Sequence, residues 1–542
     1  MQTGSPDERI PWRRLLIAMV VFLSVVRCVY LAWLSPLDLA PDEAHYWDWS
    51  RNLDWSYYSK GPLVAWIIRG AMELFGPMSI ALTGHETLAL RMPAIFFGAM
   101  LLVGLHVLSL QVFGSERIAF FTALFAATSP SIAAVSILMT IDSPFLCLWT
   151  WALVAGHRAV FRDGTWAWLL TGLLVCLGIL AKYTMGLWLM SLGLFLLFTP
   201  TVRPILFRRG FWLMVGVAAL SALPILYWNS THEWVTFRHV GGQAGVVQQS
   251  KSIRWLGPLE YVGGQFALLI GYWFVVWFAS MIQFRPGKER DPASLYLWWM
   301  SAPTFLLFGA VTLRSGGQIN WPAAAYLSGT VLTTAWLIRT FDSSSGSFRR
   351  WTRFGIVAAC VGGVLITAIS YETRLVRPIM VEVAKMIRKE DPMAIRAVDP
   401  TSRLRGWRYL GSELDKVRQD VIAQDGVEPI MAAGGWSNTG EVGFYTNGHP
   451  KVYSLGPWFG DRHSQYDLWR PNPVADAQVF TGKTFIVVTG YEPTLRAAFD
   501  EVSPAREIVY KEGDVSVSAW QIWICRGFRG IQVKLPGGSE RY

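Results

Sequence analysis

Charged side chains are scarce in this sequence of 542 residues. Asp, Glu, Lys and Arg make up 16% of it, against about a quarter in soluble globular proteins. Hydrophobic residues account for 52%, and the mean hydropathy is +0.33. This composition excludes an intrinsically disordered chain, which would be rich in charge and poor in apolar residues. The sequence therefore predicts a polytopic membrane protein.

Cysteine is also rare, with five residues in the whole chain. Cys28, Cys147, Cys176 and Cys360 fall in apolar segments, and Cys525 is isolated near the C-terminus. Their spacing matches neither a metal site nor a disulfide framework. A small secreted protein held together by disulfides is excluded by the same observation.

Tryptophan, by contrast, is abundant at 28 residues, and it favours the headgroup level of membranes. The net charge of +10 raises the question of nucleic-acid binding. However, most Lys and Arg residues lie in short segments between apolar runs, where they set membrane orientation. We therefore expect no nucleic-acid partner.

Eleven apolar runs approach the roughly 20 residues that a helix needs to cross a bilayer. They lie at about 15–35, 88–113, 118–137, 143–161, 166–181, 183–198, 211–228, 259–284, 293–312, 322–338 and 354–370. With the N-terminus inside, sixteen Lys and Arg fall in the 61 positions of the inner segments and eight in the 101 outer positions. This asymmetry predicts a plasma (inner) membrane protein with a cytoplasmic N-terminus and the C-terminus outside.

The composition changes after residue 370. Short strand-like stretches occur at Pro429–Ala433, Lys451–Leu455 and Thr484–Thr489, and a helical pattern covers Glu492–Glu501. The sequence thus predicts two domains: 1–370, a helical membrane domain with a large first outer loop at 36–87, and 371–542, an extracytoplasmic (periplasmic) α/β domain.

The first outer loop carries the densest set of chemically active residues. An acidic pair, Asp42-Glu43, follows the first span, where carboxylate pKa values shift easily, and either residue is a candidate general base or cation ligand. The candidate ligands for a phosphate or a sugar in this loop are Lys60, His45, Tyr46, Tyr57 and Tyr58. The alternative is an interfacial loop whose aromatic residues form a membrane belt.

Later outer segments add further candidates. Asp142 is a catalytic candidate or simply a helix N-cap before Pro144. Lys182 is a phosphate ligand or a side chain that snorkels to the interface. Asn320-Trp321 precedes a proline that is equally typical of a helix start. The pair His232 and His239 is a weak zinc motif.

Together these segments resemble one superfamily. The chain looks like a GT-C-fold glycosyltransferase that uses polyprenyl-phosphate sugars, of the protein O-mannosyltransferase and lipid A aminoarabinose transferase superfamily, bacterial branch. The resemblance covers essentially the whole chain, and its most specific part is the first loop. Departures are Gly61, where a second proline is common, and His45, where the aminoarabinose enzymes carry arginine. The matching motifs are Asp42-Glu43, Tyr58-Ser59-Lys60-Gly61-Pro62, Asp142-Ser143-Pro144, Asn320-Trp321-Pro322 and Gln465-Tyr466-Asp467-Leu468-Trp469.

The resemblance implies a GT-C membrane fold and a reaction on the outer face. A polyprenyl-phosphate-linked sugar is the donor, and a hydroxyl group of an envelope glycan, lipid or protein is the acceptor. Asp42 is then the base, with Glu43 and Asp142 as further catalytic candidates, and transfer by one base inverts the anomeric carbon. Lys60 or Lys182 stabilises the leaving phosphate. No metal is assigned, and a divalent cation is one possible cofactor, with the three carboxylates as its candidate ligands.

Two other functions remain open from the sequence. A secondary transporter is also polytopic, but it is expected to show internal repeats and a site at the membrane midplane. A non-catalytic protein of envelope assembly would use the outer domain for binding. Loss of transfer after mutation of Asp42 would separate the enzyme from both.

Overall fold

The computed structural model describes residues 10–162, 164–243, 253–287, 290–388, 391–490, 492–504 and 506–531. Its helices up to the end of the membrane region are α1 Trp12–Val29, α2 Pro41–Arg51, α3 Leu63–Thr83, α4 Thr87–Phe113, α5 Glu116–Ala127, α6 Pro130–Val135, α7 Asp142–Arg162, α8 Thr165–Ala181, α9 Gly186–Phe198, α10 Arg209–Ala219, α11 Ala222–Thr231, α12 Val235–Gln243, α13 Gly257–Leu268, α14 Tyr272–Gln283, α15 Pro292–Val311, α16 Ala325–Ser343 and α17 Gly346–Tyr371. Those of the remainder are α18 Arg377–Ile387, α19 Trp407–Asp425, α20 Trp436–Tyr445, α21 Gln465–Leu468 and α22 Glu492–Ala498. The strands are β1 Ile430–Ala433, β2 Val452–Ser454, β3 Phe485–Val488, β4 Phe499–Val502, β5 Arg506–Glu512 and β6 Val515–Phe528.

The membrane region is a bundle of apolar helices. Among the described residues, six helices are long and apolar enough to cross a bilayer, and a seventh span results if the bent pair α13–α14 is counted as one. Helices α8 and α9 are apolar but shorter. The fold is therefore that of a multi-pass membrane protein, whereas the predicted total of eleven spans is not confirmed.

The first outer segment is more helical than the prediction of a large loop at 36–87 suggests. It contains α2, and it also contains α3, which has the length and hydropathy of a span. The sequence count omitted α3 because Arg69 and Glu73 interrupt its apolar pattern. In the structure these two side chains form an exposed pair at 2.5 Å, one turn apart.

In the core of the bundle, a small residue allows large aromatic side chains to pack closely. Trp149, Trp188 and Tyr296 are fully buried between α7, α9 and α15. Gly156 permits their approach, since a Cβ there would lie 2.8 Å from the Trp188 ring. The hydroxyl of Tyr296 donates a hydrogen bond to the Leu153 carbonyl at 3.0 Å, so its polar atom is satisfied.

The C-terminal domain, which we call the outer domain after its predicted side of the membrane, contains a mixed sheet of order β2-β1-β3-β6-β4, with β5 paired to β6. Strands β1, β2 and β3 are parallel and fall in the three predicted stretches, which confirms an α/β domain. The helix predicted at 492–501 ends earlier, because the chain continues from Ala498 directly into β4. Strand β6 is antiparallel to β3 and was not predicted.

The outer domain rests directly on the first outer segment. The backbone NH of Trp407 donates to Asp38 at 2.8 Å, and that of Leu39 donates to the Tyr445 hydroxyl at 2.8 Å. Helices α2 and α20 cross at Gly440, where a Cβ would lie 2.7 Å from the Ala44 carbonyl carbon. These contacts hold the outer domain against α2, whose residues Asp42, His45 and Tyr46 line the cavity described next.

Candidate active site

A cavity of about 730 Å³ lies between α2, the start of α7 and the outer domain. Its upper part is polar. Its lower part continues between the membrane helices, where it is apolar. The polar residues of the upper part include Asp42, His45, Tyr46, Lys60, Asp142, Lys182, His239, Asn320, Arg403, Ser437 and Arg462.

Asp42 is the carboxylate most open to the cavity. It lies in the first turn of α2, directly after Pro41, where the helix dipole favours a negative charge. Its side chain is accessible from the cavity, yet protein surrounds it, and this desolvation raises its pKa. Lys60 and Arg462 oppose that rise, and the Tyr46 hydroxyl is its hydrogen-bonding neighbour one turn along α2.

Lys60 lies at the end of the first outer turn and faces the same space. Burial and the nearby charge of Lys182 lower its pKa to about 8, while Asp42 partly restores it. In the described part of the chain its ammonium group makes no ion pair within 4.0 Å. The cation is therefore available to an incoming anion.

Asp142 is held on both sides. One carboxylate oxygen accepts from the Lys182 ammonium at 2.6 Å, and the other accepts from the Asn320 side-chain amide at 2.9 Å. Lys182 also lies 5.2 Å from the centre of the Phe145 ring. Three residues that the sequence singled out separately thus form one cluster at the start of α7. This pairing leaves Asp142 less available as a base than Asp42.

Aromatic residues form one wall of the polar part. Tyr46 and Trp321 both line it, as predicted for sugar-binding residues. His45 also lines it, with its ring 4.9 Å from Tyr466 and 5.3 Å from Trp436. Burial lowers the pKa of His45 to about 3, so the imidazole is neutral at physiological pH and meets a phosphate as a neutral group.

Glu43, the second member of the acidic pair, does not line the cavity. It is fully buried, and its oxygens accept from Arg91 at 2.7 and 3.0 Å. They also accept from the backbone NH groups of Ala40 at 2.9 Å and Met139 at 2.8 Å. This geometry corrects the expectation of a catalytic Glu43: its oxygens are occupied, and it fixes the start of α2 instead.

Tyr57 and Tyr58 likewise lie outside the cavity wall. Tyr57 stacks on Trp49 at 4.3 Å, and its hydroxyl donates to the Trp49 carbonyl at 3.1 Å. The backbone NH of Tyr58 donates to the Gln465 side chain at 2.7 Å. Both residues therefore support the turn that presents Lys60, rather than contacting a ligand in the cavity as predicted.

The suggested cation site does not fit these residues. The described parts of the chain contain no group of three or more His, Cys, Asp or Glu side chains arranged to hold a metal. Of the three carboxylates expected as ligands, Glu43 is paired with Arg91 and Asp142 with Lys182. The second histidine of the His232/His239 pair reaches the cavity wall, while the first stacks on Trp228 at 4.0 Å.

The outer domain also contributes residues to the cavity, which the sequence did not predict. Arg403, Trp436 and Arg462 come from this domain, and the Arg462 guanidinium lies 4.5 Å above the Trp436 ring. Lys60, Lys182, Arg403 and Arg462 together outnumber the two carboxylates that line the cavity. The polar part therefore carries an excess of positive charge, which suits a phosphate.

The lower part of the cavity is an apolar channel, which we call the throat. Its wall includes Leu105, Phe125, Trp277 and Leu327, from α4, α5, α14 and α16. It also includes Ile270, which lies at the break between α13 and α14. The helix direction bends by 115° at this break. Irregular backbone at membrane depth is tolerated where it lines a cavity.

The fold and the site thus define a multi-pass membrane protein of GT-C type, with a cationic cavity beneath an outer domain and an apolar throat between its helices. The crystal structure of ArnT from Cupriavidus metallidurans bound to undecaprenyl phosphate has the same fold. Its TM-score to this chain is 0.57 at 17% sequence identity, over 94% of this chain and 98% of that one.

Two sequence comparisons agree with this fold. Residues 59–228 match the model of the dolichyl-phosphate-mannose-protein mannosyltransferase family. The lipid A galacturonosyltransferase RgtD of Rhizobium johnstonii is 31% identical over 301 residues, which are 56% of this chain and 61% of that protein. The match thus spans about three fifths of the relative's length. The shared fold and the two partial sequence matches support the resemblance to GT-C glycosyltransferases that the motifs suggest.

Proposed function

We propose that this protein is a membrane glycosyltransferase that moves a sugar from a polyprenyl-phosphate donor to a hydroxyl group of an envelope lipid on the outer face. A single observation carries the proposal: an open carboxylate, Asp42, faces uncompensated cations in a cavity that continues into an apolar throat. The names of the relatives add a polyprenyl phosphate and a lipid A acceptor. A glycan or a protein is the other possible acceptor class.

The donor's three parts match three parts of the cavity. Its polyprenyl chain occupies the throat, where apolar side chains replace lipid. Its phosphate lies near Lys60 and Arg462, which supply charge in a partly dehydrated space. Its sugar contacts Tyr46 and Trp321, whose rings offer flat apolar faces with a polar edge.

The reaction then needs one proton acceptor. The acceptor hydroxyl attacks the anomeric carbon as its proton passes to Asp42. The bond between that carbon and the bridging phosphate oxygen breaks, and the electron pair leaves with polyprenyl phosphate. Lys60 stabilises the charge that develops on the bridging oxygen. Asp142 is occupied by Lys182 and Asn320, so the geometry favours one displacement by one base, which inverts the anomeric carbon.

The non-enzymatic alternatives find less support. The ionisable groups gather at the outer end of the cavity, beneath the outer domain, whereas a secondary transporter is expected to bind at the membrane midplane. A purely binding protein has no need of a desolvated carboxylate open to its cavity. Both would tolerate loss of the Asp42 charge.

Replacement of Asp42 tests the proposal. Asp42→Asn keeps the size of the side chain and removes the base, so transfer should fall by roughly 10²–10⁴-fold. Transfer is measured with purified protein, a radiolabelled polyprenyl-phosphate sugar and an envelope lipid extract. Mass spectrometry of lipids from cells with and without the gene identifies the sugar and its acceptor.

Asp420→Asn is the matched control, because Asp420 lies on α19, is 56% exposed and is distant from the cavity lining. It should transfer like the wild type. Activity of Asp42→Asn within tenfold of the wild type would contradict the assignment of the base. Identical lipid profiles with and without the gene would contradict transfer itself.

A further inference from the structure

One motif singled out in the sequence has no part in the proposed reaction. Gln465-Tyr466-Asp467-Leu468-Trp469 forms α21 and the residue after it. Tyr466, Leu468 and Trp469 line a second cavity, of about 340 Å³, between α2 and the outer domain. This volume lies at the small end of the range for ligand pockets, about 300–1,000 Å³.

The second cavity is separated from the first by the rings of two residues. His45 lines the first cavity, Tyr466 lines the second, and their ring centres are 4.9 Å apart. Along α2, Asp42 faces the first cavity and Asp48 the second. Six helical residues separate these two carboxylates by about 9 Å along the axis and by about 120° around it. A ligand with parts in both cavities therefore has to pass around the His45 and Tyr466 rings.

The walls of the second cavity combine positive charge with aromatic rings. Arg51, Lys451 and Arg470 line it, against a single carboxylate, Asp48. Arg51 and Arg470 already have carboxylate partners, Asp48 at 3.4 Å and Asp476 at 3.2 Å. Within the described residues, Lys451 has no carboxylate within 4.0 Å, and its ammonium lies 4.7 Å over the Tyr453 ring. Lys451 is thus the cation free to bind an anion.

Aromatic rings next to a free cation favour an anionic sugar. Tyr453, Tyr466 and Trp469 line this cavity, and aromatic side chains suit the apolar side of a pyranose ring. Asp48 is 92% buried, since its exposed fraction is 8%, and it can accept from a sugar hydroxyl. Lys451 pairs with a phosphate or carboxylate substituent on the same saccharide.

We propose that this second cavity binds an anionic saccharide of the acceptor, bearing phosphate or carboxylate groups, and holds the acceptor so that its reacting hydroxyl reaches Asp42. The proposal rests on the proposed function and adds to it the place where the saccharide of the acceptor is held. It also gives the 465–469 motif a role: its rings separate the two cavities and contact the acceptor.

Equilibrium binding to the full-length protein in lipid nanodiscs, without donor, tests this site separately from transfer. The probes are a radiolabelled glucosamine disaccharide with two phosphates, the same disaccharide without phosphate, and a galacturonate trisaccharide. Wild type should bind at least one charged probe tenfold or more tightly than the neutral one. The probe that binds distinguishes phosphate from carboxylate recognition.

Lys451→Glu should weaken binding of the charged probe at least tenfold and raise the acceptor KM with kcat nearly unchanged. Lys416→Glu, on the exposed face of α19, should do neither, as the matched control. Lys451 is exposed to solvent, so its replacement is compatible with folding. Equal affinity for charged and neutral probes, or no effect of Lys451→Glu, would overturn the acceptor site. Such a result would not contradict the proposed transfer, which is tested separately through Asp42.

Discussion

Adjacent residues of the acidic pair have different surroundings because successive helix positions point about 100° apart. Asp42 faces the cavity, whereas Glu43 points into the protein and pairs with Arg91. The sequence suggests both as candidates, because both follow the first span. The packing of α2 against α4 distinguishes them: it places Glu43 against Arg91 of α4 and leaves Asp42 facing the cavity.

Replacement of Lys60 separates its role in catalysis from one in donor binding. Charge develops on the bridging oxygen during transfer, so Lys60→Ala should lower kcat by roughly 10²-fold and change donor affinity by less than tenfold. Lys60→Arg should recover part of kcat, because a guanidinium keeps the charge in a different shape. Single-turnover transfer and donor binding to the purified protein measure the two quantities.

Lys416→Ala serves as the control for these variants, since Lys416 is exposed on α19. Wild-type kcat in Lys60→Ala would show that Lys60 only reaches the membrane interface. Loss of donor binding with kcat retained at saturation would place Lys60 in ground-state binding.

The lowered pKa of Lys60 also predicts a pH dependence. A cation with a pKa of about 8 loses its charge above that pH, so kcat/KM should fall on the alkaline side near pH 8. A bound phosphate favours the charged form, so the kcat limb should lie at higher pH than the kcat/KM limb. Lys60→Arg should remove the alkaline limb, because arginine stays charged. A limb unchanged in Lys60→Arg would assign it to another group.

At the scale of elements, the crossing of α2 and α20 sets how closely the outer domain packs on α2, which lines the cavity. Gly440→Ala places a methyl group 2.7 Å from the Ala44 carbonyl carbon, which forces the helices apart. We expect a loss of about 1–3 kcal/mol of stability, the usual cost of overpacking. The melting temperature of the detergent-solubilised protein and its transfer rate should both fall.

Gly362→Ala is the matched control, because a Cβ at this position of α17 meets no atom within 4 Å. It should leave the melting temperature unchanged or slightly higher, since alanine is the better helix former. If Gly440→Ala behaves like Gly362→Ala, the contact between α2 and α20 does not support the site.

Elements were predictable where their pattern was local. The strands β1, β2 and β3 are short apolar runs bounded by turn residues, and the sequence located all three. Helix α3 was missed because an exposed charged pair breaks its apolar run. Strand β6 was missed because Ser516, Ser518 and Gln521 interrupt its apolar residues. The break between α13 and α14 carries one local signal, because Gly271 adopts a positive φ of 61° there, but a single glycine in an apolar run does not fix the angle of the bend.

At the scale of the whole molecule, the direction of insertion remains a prediction. The excess of Lys and Arg in the inner segments places the N-terminus in the cytoplasm and the outer domain in the periplasm. Reporter fusions after Phe341 and after Tyr371, at the two sides of α17, should therefore report opposite compartments. Two cytoplasmic reports would place the outer domain, and with it the cavity, on the inner face.

The membrane class, the C-terminal domain with its sheet and the GT-C type of fold were all predictable, because composition and motifs in the chain carry them. Asp42, Lys60, Asp142, Lys182 and Asn320 were predictable as candidates for the same reason. The contributions of Arg403 and Arg462 were not, since they lie more than 300 residues after the first loop and belong to no motif. Their position follows from the docking of one domain on the other.

If the throat holds the donor as proposed, it has a kinetic consequence for transfer. A donor whose chain lies between membrane helices reaches the site by diffusing within the bilayer rather than through water. Its effective concentration is then its mole fraction among the surrounding lipids, so dilution with inert phospholipid slows the enzyme even when the amount of donor per volume is constant. The rate of transfer therefore depends on the lipid composition of the surrounding membrane as well as on the amount of donor.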